Sequence, residues 1–259
     1  MRFVQARNYT RGRSSSIDVL VFHTMENKET PDSAESIANW FAGSSAPEAS
    51  AHYCIDATSV IQCVRDEDVA WHAPGANHDG LGFEHAGTAK QTGRDWKDDF
   101  SRAMLERSAK LVAEKCAQYR IPPVWLYPAD LQSGRRGITS HDNVSKAFGR
   151  STHWDPGEGF NIQRYLRLVR RNLQERGVAI PSGNDLKPDP PTIRRGDSGW
   201  IVKRAQRRLE HHGFDPGEID GDFGASTERA VRSFQGARDL DLDGVVGPLT
   251  WKALNKAKP

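Results

Sequence analysis

The chain has 259 residues, with 36 Lys+Arg against 34 Asp+Glu and a formal net charge of +2. At 37% hydrophobic and 27% charged residues it holds enough apolar material for a packed core and too much for a disordered or collagen-like chain, and its length suits one large and one small domain. The charges are interspersed and nearly balanced, which argues neither for nucleic acid nor for an anionic membrane as partner, so neither is expected, and no run approaches the ~18 to 20 apolar residues that span a bilayer.

In chain order, the opening MRFVQARNYTRGRSSS lacks the apolar stretch of a signal peptide, so synthesis in the cytoplasm is expected. SIDVLVFHT is a near-continuous apolar and β-branched run and predicts a buried strand ending near His23. AHYCIDATSVIQCVR predicts a hairpin around the polar break Asp56 to Ser59. DDFSRAMLERSAKLVAEKCAQYRI carries Phe100, Met104, Leu105, Leu111, Val112 and Cys116 at helical spacing and stops before Pro122 and Pro123. A last amphipathic helix is predicted over Asn161 to Arg176, with Ile162, Tyr165, Leu166 and Val169 inward and Gly177 past its end. The pattern gives an α/β fold in which helices flank a mixed central sheet. Cys54, Cys63 and Cys116 match no disulfide framework and read as structural thiols.

PSGNDLKPDPPT, from Pro181 to Thr192, has four prolines and almost no apolar residues. It predicts a linker over 181–192 between a domain at 1–180 and another at 193–259. The tail contains an internal repeat: DGDFGASTERAV from Asp220 matches DGVVGPLTWKAL from Asp243 at D-G-x-x-G-x-x-T-x-x-A-(V/L). A helix over Ser198 to His212 precedes it, with Ile201, Val202, Ala205 and Leu209 on one face, so a small three-helix domain is expected. Its core is predicted from Ile201, Leu209, Val231, Phe234, Trp251 and Leu254. His211 and His212 end the first of these helices, where the dipole favours a cation. Asp239, Asp241, Asp243 and Gly244 open like a calcium-binding loop, but Thr250 stands where the bidentate Glu should be and Pro248 falls inside the loop, so twin DG turns explain them better.

Among nine histidines there is no H-E-x-x-H and no cysteine pair with zinc-knuckle spacing, so any metal site must be assembled across the fold. His23 at a strand end, His141 in ITSHDNVS after a glycine-containing loop, and Asp155 before the turn formers Pro156 and Gly157 suggest themselves. Two imidazoles and one carboxylate would leave a fourth tetrahedral position open for water. Taken alone, a histidine at a strand end is more often a polar rim residue. His52 reads as a packed or supporting histidine, and His85 as pointing away from Glu84 on a strand. Trp71 and Trp154 could stack on sugars or pack in the core.

VFHT, SAHYCID, VAWHAPG, LGFEHAG, SHDNV and HWDPGEGF occur in the order seen in the zinc-dependent type 2 N-acetylmuramoyl-L-alanine amidases, which the chain resembles over residues 10 to 175. IRRGDSGWIVKRAQRRL through FQGARDLDLDGVVGPLTWKAL resembles the helical peptidoglycan-binding module fused to many wall hydrolases, and the pairing is similar to endolysins of actinobacterial phages. The resemblance implies zinc held by His23, His141 and Asp155, Glu84 as the catalytic carboxylate, and a second catalytic residue in His153, two positions before Asp155, where many members have lysine. It implies His72 and Asn77 as substrate-binding residues, peptidoglycan as partner, and a protein made in an infected bacterium that acts on the wall after release, while the oligomeric state is left open with a monomer as the default. Three alternatives stay open: a non-catalytic wall receptor, an endopeptidase cutting within the stem peptide, and a lysin that also restrains a polymerase. The first of these is disfavoured by the full ligand set and Glu84.

Overall fold

The computed structural model describes residues 1–178, 192–198 and 200–256, and the chain divides into two compact units, Met1–Leu186 and Lys187–Pro259. Apart from Thr192, the linker expected at 181–192 lies outside the described residues.

The first unit runs β1 (Arg2–Phe3), β2 (Tyr9–Thr10), β3 (Val19–Thr24), α1 (Ser33–Ala42), β4 (Tyr53–Ile55), β5 (Val60–Gln62), β6 (Val69–Ala70), β7 (Gly80–His85), α2 (Asp99–Tyr119), α3 (Pro128–Gln132), β8 (Gly137–Ser140), α4 (His141–Phe148) and α5 (Ile162–Glu175). Six strands form one mixed sheet in the order β1-β5-β4-β7-β3-β8, and β2 pairs with β6 separately. The strands β4, β7, β3 and β8 are mutually parallel, while β5 returns antiparallel to β4 through the predicted hairpin. Asp56 closes that turn, its Oδ1 accepting from the backbone N–H groups of Thr58 and Ser59 at 2.8 and 2.7 Å.

Alternation along β3 decides what each face can do. Leu20 and Phe22 join Leu81, Phe83, Met104, Leu105, Tyr165 and Val169 in the core beneath α2 and α5. Val19 and Val21 join Ala73, Ala76, Leu126 and Val144 on the other side. His23 follows Val21 by two residues and so shares that second face. Both faces of β3 are covered, so a one-residue slip would exchange Leu20 and Phe22 with Val19 and Val21 against cores shaped for the other pair and turn His23 into the core. The register that points His23 toward the second face is therefore enforced by its neighbours.

The helices end where the sequence provides stops. Asp98 caps α2 by accepting from the Ser101 N–H at 2.7 Å, and α2 finishes at Arg120, held in a left-handed conformation at φ 52°. Asn161 caps α5 by accepting from the Arg164 N–H at 2.9 Å, and α5 packs along α2.

The second unit contains α6 (Trp200–His211), α7 (Ala225–Gly236) and α8 (Pro248–Leu254) around Val202, Leu209, Phe223, Val231, Phe234, Val246, Trp251 and Leu254. Ile201, expected in this core, is only partly buried against it. The repeat has a structural counterpart in two buried glutamines. Gln206 donates to Asp220 Oδ1 at 2.8 Å and Thr227 Oγ1 at 3.1 Å while accepting from the Gly221 N–H at 2.9 Å. Gln235 repeats this with Asp243 Oδ1 at 2.7 Å, Thr250 Oγ1 at 3.2 Å and the Gly244 N–H at 3.0 Å. Asp243 is thus engaged in its own turn, also accepting from the Val245 N–H. His212 departs from the helix-end cation reading: it is buried, bonded to the Leu254 carbonyl and packed on Phe234, and burial lowers its pKa.

Candidate metal centre and active site

Parallel strands that end together bring side chains from distant sequence positions to one edge. His23 and Glu84 are direct partners in the β3–β7 register and lie on the same face. His85, one residue on, takes the opposite face, stacked on Phe22 with 3.6 Å between centroids and bonded to the His23 carbonyl and Ser108 Oγ at 2.9 and 2.6 Å. On the other flank of β3, β8 ends at Ser140, whose hydroxyl caps α4 by accepting from the Asn143 N–H at 3.2 Å, and His141 is the first residue of that helix. The Asp155 carbonyl accepts from the Asp142 N–H at 3.1 Å, which fixes the 155–160 turn against the start of α4. Gly157, at φ 79°, lets that turn approach the segment around Ala89: a Cβ there would lie 1.8 Å from the Ala89 carbonyl oxygen.

The result is a buried group of His23, His141 and Asp155, whose potential ligand atoms lie within 4.8 Å of one another. Among the described residues no other group of three or more His, Cys, Asp or Glu side chains converges in this way. His23 Nδ1 and His141 Nδ1 are 3.1 Å apart, and each is 3.4 Å from a different Asp155 carboxylate oxygen. Their outer nitrogens have other neighbours: His23 Nε2 lies 3.0 Å from His72 Nδ1, and His141 Nε2 lies 3.1 Å from Ser151 Oγ, which in turn meets Ser145 Oγ at 2.5 Å. Burial, reinforced by His23, pushes the His141 pKa down to about 3. Burial works to raise the Asp155 pKa, but hydrogen bonds from His153 and His23 outweigh it and hold the carboxyl well below its ordinary value.

His153 stacks on His141 at 4.4 Å between centroids, with Nδ1 3.7 Å from Asp155 Oδ1 and a side chain 63% exposed. Its pKa is raised, chiefly by the contact with Asp155. Glu84 is half-buried at the edge, and its Oε2 is inaccessible to solvent and without a hydrogen-bond partner. Burial, then the neighbouring Asp155 and Glu26 carboxylates, pushes its pKa well above that of an ordinary glutamate.

His72 and Asn77, expected to bind substrate, lie close behind the centre. His72 is 7% exposed and sits behind His23 instead of on the wall of an open groove. Asn77 uses its Oδ1 to accept from the backbone N–H groups of His72 and Ala73, at 3.1 and 2.7 Å. His52 is fully buried, its Nδ1 accepting from the Gly82 N–H and its Nε2 3.0 Å from Arg13, outside the ligand group. Sequence reasoning missed Ser151, which no motif singles out, and Glu26, whose carboxylate accepts from Thr24 Oγ1 and the Ala89 N–H at 2.6 and 2.8 Å. A cleft of about 480 Å³ flanks the centre: residues on both sides of His141 and of Asp155 line it, together with Trp125, Tyr127, Trp154 and Phe160. Trp154 and Tyr127 are about half exposed there, whereas Trp71 lies outside the cleft lining and bonds Thr10 Oγ1.

A model of the family described as N-acetylmuramoyl-L-alanine amidase matches residues 13–158, and one described as a putative peptidoglycan binding domain matches 198–254. The chain is 27% identical over 279 residues to a probable N-acetylmuramoyl-L-alanine amidase of Bacillus licheniformis, covering 99% of this chain and 72% of that protein. It is 31% identical over 170 residues to N-acetylmuramoyl-L-alanine amidase A of Achromobacter lyticus, covering 62% of this chain and 88% of that one. Among solved structures, the Staphylococcus aureus hydrolase AmiA aligns over 69% of this chain and 85% of its own at 18% identity and a TM-score of 0.49. The first domain match spans more than half of the chain, and the chain belongs to the N-acetylmuramoyl-L-alanine amidase family.

Proposed function

We propose that the chain is a zinc-dependent peptidoglycan hydrolase that cleaves the amide between the lactyl group of N-acetylmuramic acid and L-alanine, with residues 1–180 as the catalytic domain and 193–259 as a wall-binding domain. The observation that carries this is the convergence of two imidazole Nδ1 atoms and a carboxylate in one buried group. If each histidine carries its proton on the outer Nε2, three lone-pair-bearing atoms face one another, an arrangement that repels itself unless a cation sits among them. A nitrogen, nitrogen, oxygen donor set from neutral imidazoles and an ionised carboxylate suits zinc. His23, His141 and Asp155 would hold the ion, which supplies a Lewis acid that acidifies water and polarises a carbonyl.

The rest is done by the chain's own side chains. Glu84 accepts the proton of the attacking water and returns it to the departing amine nitrogen of L-alanine. His153, exposed and kept protonated to higher pH by Asp155, donates to the oxygen on which negative charge develops. The cysteines are buried and free and have no part in this chemistry. A non-catalytic receptor would have no use for a carboxylate with one oxygen buried and unpartnered beside such a group.

Mass spectrometry of actinobacterial peptidoglycan digested by the protein tests the bond. Intact stem peptides with a new L-alanine amino terminus, and glycan with free lactyl carboxylates, are the expected products. Cleavage inside the stem would make it an endopeptidase, and no cleavage would make it a receptor. The phage-lysin reading rests on the resemblance and would be supported by lysis of such cells.

The second domain raises the local concentration of catalyst on an insoluble polymer. A chain ending at residue 183 should clear intact walls several-fold more slowly while cutting soluble muropeptides at an unchanged rate. Equal clearance by both forms would remove the targeting role.

A further inference from the structure

The side chain that touches His23 from behind is His72, and nothing in the proposed reaction uses it. Both rings are buried and meet edge to face, at 5.2 Å between centroids and 85° between planes, with His23 Nε2 3.0 Å from His72 Nδ1. We infer that His72 is the positioning residue for His23: its Nδ1 accepts the Nε2 proton, fixing the tautomer and ring angle that leave the His23 Nδ1 lone pair toward His141 and Asp155. The inference rests on reading those three residues as a metal site.

The surroundings of His72 are arranged to hold it in that place. Its backbone is anchored by Asn77, whose Oδ1 accepts from both the 72 and 73 N–H groups. Its ring occupies a slot on β7 that exists because the residues facing it carry no side chain. A Cβ at Gly82 would lie 2.5 Å from His72 Cγ and one at Gly80 3.2 Å from its Cε1, so the alternation Gly80, Gly82, Glu84 places two gaps and then the carboxylate along one face. The His52 ring closes the slot from the side, at 5.7 Å, and is itself tied to the Gly82 N–H. The other His72 nitrogen, Nε2, is buried without a partner. Buried polar atoms are rarely left so. With Nδ1 accepting, the proton sits on Nε2 as a buried donor without an acceptor, a cost that the contact with His23 has to offset. Histidines that ligate metals generally have such an outer partner, and losing one typically weakens metal binding about 10 to 100-fold. On the other ligand the Ser151 hydroxyl stands at the equivalent nitrogen.

The test measures zinc affinity of the full chain by competition with a chromophoric chelator, alongside melting temperature and KM for a soluble muropeptide at saturating zinc. His72→Ala should fold, bind zinc about 10 to 100-fold more weakly and keep its KM. His72→Gln should recover most of the affinity, because an amide oxygen can accept the same proton. Gly82→Ala, whose methyl pushes the ring out of its slot, should weaken zinc in the manner of His72→Ala. Wild-type affinity in the alanine variant, a raised KM with intact zinc binding, or a glutamine variant as weak as alanine would each overturn the assignment. If His72→Ala does not fold, the glutamine and Gly82→Ala variants decide. His23→Ala binding zinc as tightly as the wild type would instead sink the metal site itself, a different and separable result.

Discussion

Glu84→Gln should lower the rate of amide cleavage by about 10² to 10⁴ while leaving zinc content and fold intact. The amide keeps the size of the carboxylate and its place beside His23 in the β3–β7 register, so neither the strand pairing nor the ligand group is disturbed. What it loses is the capacity to take a proton. The pH dependence should identify the residue as well. Burial, then Asp155 and Glu26, raises the Glu84 pKa, so the proton-accepting form is lost as pH falls through a value above the ordinary 4.5. The wild-type rate should therefore decline on the acid side as Glu84 takes up a proton, and the residual rate of the variant should lack that limb. Stability of the metal-free protein gives an independent check. An acid whose folded-state pKa is raised costs stability once pH exceeds its unfolded value, because folding then opposes ionisation. The glutamine variant should melt no lower than wild type at pH 4 and progressively higher as pH rises. An unimpaired rate would show that another group activates the water, whatever the melting data say.

The elements legible in the sequence were those whose period was long or whose stops were strong. The run ending at His23 emerges as β3, the break at Asp56 to Ser59 as the β4–β5 turn, and the two long helices end where Pro122 and Gly177 require. The strands β1, β2 and β6 have two residues each and no period to detect. The repeated DG turns were visible as spacing, but Gln206 and Gln235, which tie them down, sit on helices where a glutamine ordinarily means a solvated surface. At the centre, spacing alone offered three scattered residues. The order of the six short motifs makes them a set; the strand register shows how residues 23, 84 and 141 reach one edge, and the backbone bond from Asp142 brings Asp155 to it. The resemblance puts His72 in a segment that lines the substrate groove of relatives. Its direction depends on missing side chains at Gly80 and Gly82, and an absence on a neighbouring strand leaves no mark in the histidine's own segment.

Removing any one of His23, His141 or Asp155 should abolish zinc binding and with it all measurable turnover, an effect larger than the loss of Glu84 because the centre itself goes. Three protein ligands are the minimum that leaves an open position for chemistry, and two would leave the ion to solvent and chelator. The three substitutions should differ in what else they disturb. His141→Ala truncates the first residue of α4 without touching its Ser140 cap, so the melting temperature should change little. Asp155→Ala also removes the acceptor of the Thr24 N–H at 3.4 Å and the partner of His153, leaving the two imidazoles facing one another without a carboxylate. Asp155→Asn keeps the shape but not the charge, and should separate the two effects: near-normal folding with zinc still lost. Chelator treatment of the wild type should reproduce the inactive state, and stoichiometric zinc should reverse it, whereas the substituted chains should stay inactive at any zinc concentration that leaves the protein soluble. Metal analysis at one zinc per wild-type chain and none per variant is the expected result. Full occupancy and turnover in any one variant would remove that residue from the ligand set and reopen the choice of the third donor, with His153, stacked on His141 and 3.7 Å from Asp155, as one alternative.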